Sequence, residues 1–268
     1  MTVLHIGDVT LTRVSYAEVE VEPEQVGLTA EEVAAAHAPA EWATDNKPRA
    51  SASAWIIEHD GARIVVDPAG AVDAILRNEN DAAAHQQAFA ALLAAAGYPR
   101  ESVTHAVATH LDGIGMLAWR DDDGSWEPFF PNAPILMTQA ELDGIDGMPF
   151  EPSGRKVLAE LQASGAVRGV DDREVITSAV TLEFTGGHNP GHAVVRIRSG
   201  GQQAIMLGHL ALTPLHLGRI DPDGHADVDV AMAARRALLT EDAILIGPLW
   251  PAPAAGRWNG HELVPVTA

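Results

Sequence analysis

The segment AVATHLDGIGM, residues 106–116, is typical of a buried strand that runs into a metal-binding loop. Val107 and Thr109 lead to His110, and an acid, Asp112, follows two positions later. Imidazole and carboxylate groups together suit Zn, Fe or Mn, and both also act as general acids and bases. The chain contains 12 histidines, and most of them are expected to be surface or structural residues. The segment therefore predicts metal or acid-base chemistry at this loop.

Apolar patterns and turn residues place this loop among alternating strands and helices. Strands are predicted from VLHIGDVTLTRV, AWIIE, RIVVD, VTHAVAT, APILMT, VTLEFTGG, AVVRIRSG, QQAIMLGH and AILIGPL, with HDG as a hairpin turn. Helices are predicted after the capping residue Thr29, over residues 81–97, and from QAELDGI, GRKVLAELQASG and DVDVAMAARRALLTED. The alternation predicts an α/β sandwich with sheets inside and helices outside. Without repeats or a Pro-, Gly- or Ser-rich linker, one domain over residues 1–268 is expected.

Composition excludes several classes of function. The formal net charge of -20 repels nucleic acid and anionic membranes, because binding to both depends on Lys and Arg. No apolar run approaches the roughly 20 residues that span a bilayer, and the N-terminus lacks the features of an export signal. The chain has no cysteine, so neither disulfides nor thiolate ligands are available. A cytoplasmic protein without nucleic-acid or membrane partners is predicted, and a homodimer is among its possible assemblies.

Six segments, in matching order along nearly the whole chain, resemble the metallo-β-lactamase superfamily. They are VVDPAG, THLDGIG, FFPNAPILMTQAEL, GGHNPGH, IMLGHLALTPLHL and GPLWP. The chain looks most similar to the lactonase-like and organophosphate-hydrolase-like branch. The resemblance implies an αβ/βα sandwich of two mixed β-sheets flanked by helices, with a metal site at the sheet edge. It also implies metal-assisted hydrolysis, in which a cation lowers the pKa of a bound water to about 7.

The resemblance assigns candidate ligands residue by residue. His110 matches the first histidine of the family's HxHxDH motif, and His192 matches the third histidine of its first metal site. His209 stands where the family has a bridging aspartate. Leu249 stands where the family has the distal histidine of its second site. Ligands of the first site are thus kept or exchanged, whereas one ligand of the second site is lost.

The HxHxDH loop can be aligned in two ways. Without a gap, Asp112 replaces the motif's second histidine, and Ile114 and Gly115 replace its aspartate and last histidine. With a two-residue deletion, Asp112 is the motif's aspartate and Gly113 replaces the last histidine. Both alignments remove the last histidine. The ungapped alignment leaves the second site without ligands and implies that the second metal is absent.

The resemblance then implies a hydrolase with one divalent metal ion (Zn, Fe or Mn) held by His110, Asp112, His192 and His209. Three protein ligands and a water are the usual catalytic zinc arrangement. Asp112 is either the fourth ligand or the general base, with His110 and His209 as further catalytic candidates. The alternative is a metal-free relative that binds a small molecule, or catalyses an isomerisation or cyclisation by His and Asp acid-base chemistry. A non-catalytic partner protein is a third possibility.

Apolar residues in the loops that frame this site predict a small, neutral substrate such as a lactone or an ester. The residues expected to bind it are Met116, Trp119, Leu249 and Trp250. His188, which opens the HNPGH loop, is expected to orient that loop rather than to bind metal.

Two further histidines receive other roles. His105, inside the strand before the loop, is expected to be a structural core residue. His225 lies in a polar context and is expected to be solvated.

Overall fold

Two large β-sheets organise the chain in the computed structural model, which describes residues 2–36, 41–68, 79–121, 123–148, 152–219 and 224–266. The strands, numbered along the chain, are β1 (Thr2–Ile6), β2 (Val9–Glu20), β3 (Ala43–Thr44), β4 (Lys47–His59), β5 (Ala62–Val66), β6 (His105–Val107), β7 (Ala118–Arg120), β8 (Trp126–Pro128), β9 (Ile135–Thr138), β10 (Val167–Val170), β11 (Arg173–Val175), β12 (Val180–Phe184), β13 (Ala193–Ser199), β14 (Gln202–Met206), β15 (Ile244–Ile246), β16 (Ala255–Trp258) and β17 (Leu263–Pro265). The first sheet has eight strands in the order β1-β2-β4-β5-β6-β9-β10, with β3 paired to β4. The second sheet has seven strands, which follow from β11 to β17 in chain order. Both sheets mix parallel and antiparallel pairs, so the predicted α/β class is confirmed.

The α-helices of the described residues are α1 (Ala30–Ala35), α2 (Glu79–Ala95), α3 (Gln139–Gly144), α4 (Pro152–Ala163) and α5 (Val228–Leu239). The first of them begins after Thr29, the capping residue that the sequence predicts. At α1, the Thr29 hydroxyl accepts from the amide of Glu32, whose carboxylate accepts from the amide of Thr29. This reciprocal pair satisfies two of the donors that a helix start leaves free. Within the described ranges, no helix is both long and apolar enough to cross a membrane.

Alternate residues of the first sheet enter two apolar cores. In β4, Trp55 and Ile57 pack between the sheets, whereas Ala54 and Ile56 face the other side. Successive side chains of a strand point to opposite faces, which explains this division. The outer core is completed by side chains of α2 and α4: Phe89, Leu93, Val157, Leu158 and Leu161. The core between the sheets contains side chains from both sheets. The organisation of residues 1–268 as one domain stays a prediction.

Parallel strands bring the candidate chemistry to one edge of the two sheets. β5, β6 and β9 are parallel to one another in the first sheet, and β14 is parallel to β15 in the second. His110, His209 and Leu249 each stand three residues beyond the end of one of these strands, β6, β14 and β15 respectively. In open α/β sheets, ligands bind in the crevice outside the carboxyl ends of the strands. The fold therefore places these loops together.

Short strands account for what the sequence patterns missed. The missed elements are β3, the two-stranded sheet of β7 and β8, the consecutive strands β10 and β11, and the C-terminal pair of β16 and β17. Each of these strands has only two to four residues, which is too few for alternation to stand out from loop sequence. The longer predicted elements are confirmed, with the helix expected over residues 81–97 observed at Glu79–Ala95.

Candidate metal centre

Four side chains converge at this edge: His110, Asp112, His188 and His209. Their possible ligand atoms all lie within 4.8 Å of one another. Oδ2 of Asp112 lies 2.6 Å from Nδ1 of His209, 3.2 Å from Nε2 of His188 and 3.3 Å from Nε2 of His110. Bonds of roughly 2.0 Å in a tetrahedral site place neighbouring ligand atoms roughly 3.3 Å apart. The distances from Oδ2 to His188 and His110 match this spacing, whereas the 2.6 Å contact with His209 is that of a hydrogen bond.

A threonine and an aspartate orient His110. The amide and hydroxyl of Thr109 donate to the two carboxylate oxygens of Asp67, each over 2.8 Å. Because the hydroxyl proton is used in this way, its oxygen accepts from Nδ1 of His110, 2.9 Å away. The proton of a neutral His110 is thereby held on Nδ1, and Nε2 faces Asp112 with a free lone pair. Metal-bound histidines are commonly fixed by such a hydrogen bond from the other ring nitrogen.

His192 is oriented in the same way by a second threonine. The hydroxyl of Thr185 donates to the backbone oxygen of His192 over 3.1 Å, and its oxygen lies 2.7 Å from Nδ1 of the ring. The His192 ring is fully buried, and its Nε2 has no hydrogen-bond partner within the described part of the chain. Its centroid lies 5.6 Å from that of His110 and 5.8 Å from that of His188. Buried nitrogens are rarely left unpartnered unless they bind something else.

Gly208 permits this close packing. Its φ is +54°, and a β-carbon at this position would lie 2.4 Å from Nε2 of His192 and 2.7 Å from the hydroxyl of Thr109. Any side chain would therefore displace the two groups that flank the cluster, besides adopting a left-handed conformation. The glycine before His209 lets the β14 loop approach both of the other loops.

A buried carboxylate connects the loops that carry the cluster. Glu141 of α3 is fully buried. It accepts from the amide of Leu111 (2.7 Å), from the side-chain amide of Asn189 (2.9 Å) and from the amide of Gly191 (2.9 Å). Burial raises the pKa of Glu141, while these donors act in the opposite direction. Leu111 lies between two residues of the cluster, so Glu141 fixes their loop against the HNPGH loop.

The pKa values describe one protonated imidazole beside a carboxylate, with neutral imidazoles around them. Burial lowers the pKa of His110, but attraction to Asp112 outweighs it and raises the pKa to about 9. Burial lowers the pKa of His188 to about 4, and it also lowers the pKa values of His192 and His209. Partial burial raises the pKa of Asp112, yet His110 and His209 hold it well below its usual range. Neutral imidazole and carboxylate are the forms that bind metal, and binding at His110 would release one proton.

A small cleft, with a cavity volume of about 30 Å³, lies in front of the cluster. Asp112, His110 and His209 form its polar part. The other described residues that line it are mostly apolar or glycine: Asp67, Pro68, Ala108, Gly113, Ile114, Gly115, Leu117, Pro248 and Leu249. Small-molecule sites commonly combine such apolar walls with a few polar groups.

One of the four residues predicted to bind substrate, Leu249, is among the residues that line the cleft. Met116, Trp119 and Trp250 are not among the described residues that do. Met116 and Trp250 are fully buried, and the indole nitrogen of Trp250 donates to the backbone of Ala211. Trp119 lies 3.7 Å beneath the guanidinium of Arg100. Trp250 packs in the core between the sheets, and Met116 and Trp119 pack in or against the outer core, so their role in substrate binding stays a prediction.

Two histidines missed by sequence reasoning join the site. His188 was expected to orient its loop, but its Nε2 lies within the cluster. His225 was expected to be solvated, but its Nδ1 lies 3.1 Å from Nδ1 of His188. His188 follows the end of β12 by four residues, much as His110 follows β6 by three. His225 follows no strand end, so no local pattern identifies it. His105 is half-buried, with Nδ1 2.9 Å from the hydroxyl of Thr104, and it lies outside the cluster.

The positions that the resemblance assigned to a second metal carry no donor side chain. Ile114 is buried in the outer core, Gly115 has no side chain, and Leu249 presents hydrocarbon to the cleft. Gly113, which the gapped alignment places at the motif's last histidine, has no side chain and offers no donor either. Asp112 is part of the cluster under either alignment.

Neither a family model nor a curated protein sequence matches the chain, whereas several solved structures share its fold. AidC, described as a dizinc quorum-quenching lactonase in complex with a homoserine product, is 18% identical, with a TM-score of 0.74 over 100% of this chain and 97% of its own. A probable metal-dependent hydrolase from Staphylococcus aureus is 14% identical, with a TM-score of 0.75 over 98% of this chain and 97% of its own. The hydrolase AbOPH, of the beta lactamase superfamily, is 17% identical, with a TM-score of 0.73 over 100% and 97%.

Proposed function

We propose that this chain, which has the metallo-β-lactamase fold, is a hydrolase that uses one divalent cation to open an ester, lactone or similar acyl bond. The proposed ligands are His110, Asp112, His192 and His209, and the cation is Zn, Fe or Mn. The observation that carries the proposal is the buried Nε2 of His192, which has no hydrogen-bond partner among the described residues, beside a cluster whose donor atoms lie within 4.8 Å of one another. Imidazole and carboxylate together suit these cations.

The chain's own residues supply the proton transfers that hydrolysis needs. A bound cation would lower the pKa of a water to about 7 and polarise the substrate carbonyl. The Asp112 side chain is 39% exposed, against 7% for His110 and His209, so Asp112 is the group that an entering water meets first. Its Oδ1 is held by the side-chain amide of Asn189 at 3.3 Å, and its Oδ2 lies 2.6 Å from Nδ1 of His209. As the general base rather than the fourth ligand, Asp112 can take a proton from the water and return it to the leaving oxygen, while His209 orients its carboxylate.

The cleft supports a neutral acyl substrate. Ile114, Leu117 and Leu249 present hydrocarbon beside the polar cluster, and the net charge of -20 disfavours anionic substrates. AidC is described as a lactonase bound to an N-acyl homoserine product, which favours lactones as the first compounds to test.

Metal analysis combined with hydrolysis assays tests this function. Protein purified without added metal should carry about one equivalent of Zn, Fe or Mn. It should hydrolyse members of a panel of lactones and aryl esters, lose that activity on dialysis against a chelator, and regain it with one cation. Protein that neither retains nor binds a divalent cation would contradict the proposal.

A metal-free acid-base site is the second candidate. It is favoured by the contacts of Asp112 Oδ2 with three imidazoles, which satisfy the carboxylate without a cation. Such a site could bind a small molecule or catalyse an isomerisation or cyclisation. Turnover that persists unchanged after complete removal of metal would favour this candidate over the hydrolase.

A single cation should bind even when Zn or Mn is in excess. A second cation at the family's second position would lie against Leu249 and Ile114, which line the cleft with hydrocarbon, and its desolvation would cost several kcal/mol. We expect Leu249→His alone to leave the stoichiometry at one, because Ile114 and Gly115 still offer no donor. Isothermal titration and anomalous diffraction from metal-soaked crystals measure this. Two cations roughly 3.5 Å apart, as in paired sites, would contradict it.

The exchanged residues should depend on each other. Asp112 and His209 are in contact, so Asp112→His places imidazole against imidazole and His209→Asp places carboxylate against carboxylate. The double substitution restores one of each. Contacting residues commonly show coupling of roughly 0.5–3 kcal/mol, and we expect the double variant to bind metal more tightly than the two single losses together imply.

Competition with a fluorescent chelator measures these affinities for the wild type, both single variants and the double variant. Strictly additive losses would show that the two positions do not share one site.

A further inference from the structure

His188 faces the cluster with one ring nitrogen and His225 with the other. Its Nε2 lies 3.2 Å from Oδ2 of Asp112, and its Nδ1 lies 3.1 Å from Nδ1 of His225. The two imidazole planes are nearly perpendicular, at 85°, with ring centroids 5.3 Å apart. The centroid of His188 also lies 5.1 Å from those of both His110 and His209. His188 is thus held between the cluster and one further histidine.

Backbone pairing sets the register of the two histidines. The amide of Ala226 donates to the oxygen of His188, and the amide of Asp227 donates to the oxygen of Gly187, each over 2.8 Å. Asp227 in turn caps α5, accepting from the amide of Val230. The residues that lead into α5 therefore hold His225 against His188 through backbone hydrogen bonds.

Gly187 lets the helix approach this closely. A β-carbon at Gly187, whose φ is +91°, would lie 2.4 Å from the amide nitrogen of Ala231 in α5. The absence of a side chain at Gly187 therefore allows the first turn of α5, which follows His225, to pack against the segment before His188.

The geometry constrains where the proton of His188 lies. Between two facing Nδ1 atoms, one nitrogen must donate and the other must accept. If Nε2 of His188 is to offer a lone pair toward the cluster, its proton lies on Nδ1 and is donated to Nδ1 of His225. His225 then carries its own proton on Nε2. This parallels the roles of Thr109 and Thr185 toward His110 and His192.

We propose that His188 is a fifth protein donor to the metal, through Nε2, and that His225 is a positioning residue that fixes the tautomer of His188. This rests on the proposed function, since it assumes that a cation binds. It extends the ligand set with a histidine for which the sequence predicted only a structural role. His225 does not contact the cation and acts through His188.

Metal affinity and the visible absorption spectrum of the Co(II)-substituted protein test the proposal. We expect His188→Phe to weaken cation binding and to change the position and intensity of the Co(II) band, because one nitrogen donor is lost. His225→Phe should weaken binding about 10- to 100-fold, as is typical when a residue that orients a ligand is removed. His225→Asn should bind nearly as the wild type does, since its side-chain oxygen can accept the proton from Nδ1 of His188.

A double variant separates positioning from general support of the fold. In the His188→Phe background, His225→Phe should cause no further loss of affinity. His59→Asn is the matched control, because His59 is likewise a histidine whose Nδ1 has a side-chain partner, the hydroxyl of Thr177 at 2.9 Å, but it lies outside the cluster. His188→Gln serves as a second variant if the phenylalanine impairs folding, which circular dichroism reports.

The outcomes distinguish the two proposals. A wild type that binds no cation contradicts the proposed function itself. A wild type that binds one, together with His188 variants of unchanged affinity and unchanged Co(II) spectrum, overturns the role of His188 alone. Equal losses from His225→Phe in both backgrounds, or failure of His225→Asn to recover binding, overturn the positioning role of His225.

Discussion

Replacing His110 or His192 with alanine is expected to abolish metal retention by the purified protein. Each residue is a proposed ligand, and its loss removes one of a small number of strong bonds, which costs several kcal/mol of binding free energy. Both rings are held by a threonine hydroxyl on Nδ1, so their Nε2 atoms are committed to whatever the site binds. Metal content after gel filtration, with titration of the metal-depleted variants, measures the effect.

His105→Ala provides the matched control for this experiment. His105 begins β6, which leads into the same loop, and its Nδ1 contacts the hydroxyl of Thr104 rather than the cluster. This variant should keep its metal. Full occupancy in both His110→Ala and His192→Ala would show that the proposed ligand set is wrong.

The fold was predictable because most of the strands and helices that lead to the candidate site carry regular local sequence patterns. The hairpin of β4 and β5, the buried strand before His110 and the helix after Thr138 all carry local patterns of apolar residues, turns and caps. Such patterns involve residues that are close in sequence, so they can be recognised without knowing which distant residues come into contact. The ordered resemblance then added the sandwich, which the similar solved structures confirm.

The candidate site was predictable only in part. His110 and His209 follow strand ends, where the sheet itself brings loops together. His225 lies 37 residues from His188 along the chain. The backbone pairs that hold it there join Ala226 to His188 and Asp227 to Gly187, and no local pattern reports such contacts. Trp250 was expected at the substrate because its loop frames the family's site. Its indole is buried in the core between the sheets, and its role at the substrate stays a prediction.

Glu141 illustrates a residue whose importance only the three-dimensional structure reveals. In the sequence it stands three positions after Thr138, as an acid does in a helix capping box. The amide of Glu141 does donate to the hydroxyl of Thr138, but its carboxylate points instead at Leu111, Asn189 and Gly191. The contacts lie 30 to 50 residues away along the chain, which is why local spacing does not predict them.

Glu141→Leu is therefore expected to lower the free energy of unfolding by about 3 kcal/mol or more, since it leaves three buried donors unpaired at roughly 1–3 kcal/mol each. Glu141→Gln should have an intermediate effect. Its oxygen can replace Oε1 for Leu111 and Asn189, but its amide then opposes the amide of Gly191. Urea unfolding of metal-depleted protein measures these losses without the stabilisation that a bound cation adds.

Metal affinity of the same variants shows whether the carboxylate also serves the site. Because Glu141 holds Leu111 between His110 and Asp112, we expect both variants to bind metal more weakly, in the order wild type, Gln, Leu. Glu101→Leu is the matched control, since Glu101 is an exposed acid whose replacement should change the unfolding free energy by no more than about 0.5 kcal/mol. A Glu141→Leu variant as stable as this control would mean that water replaces the carboxylate. The loops of the cluster would then be held together by packing alone.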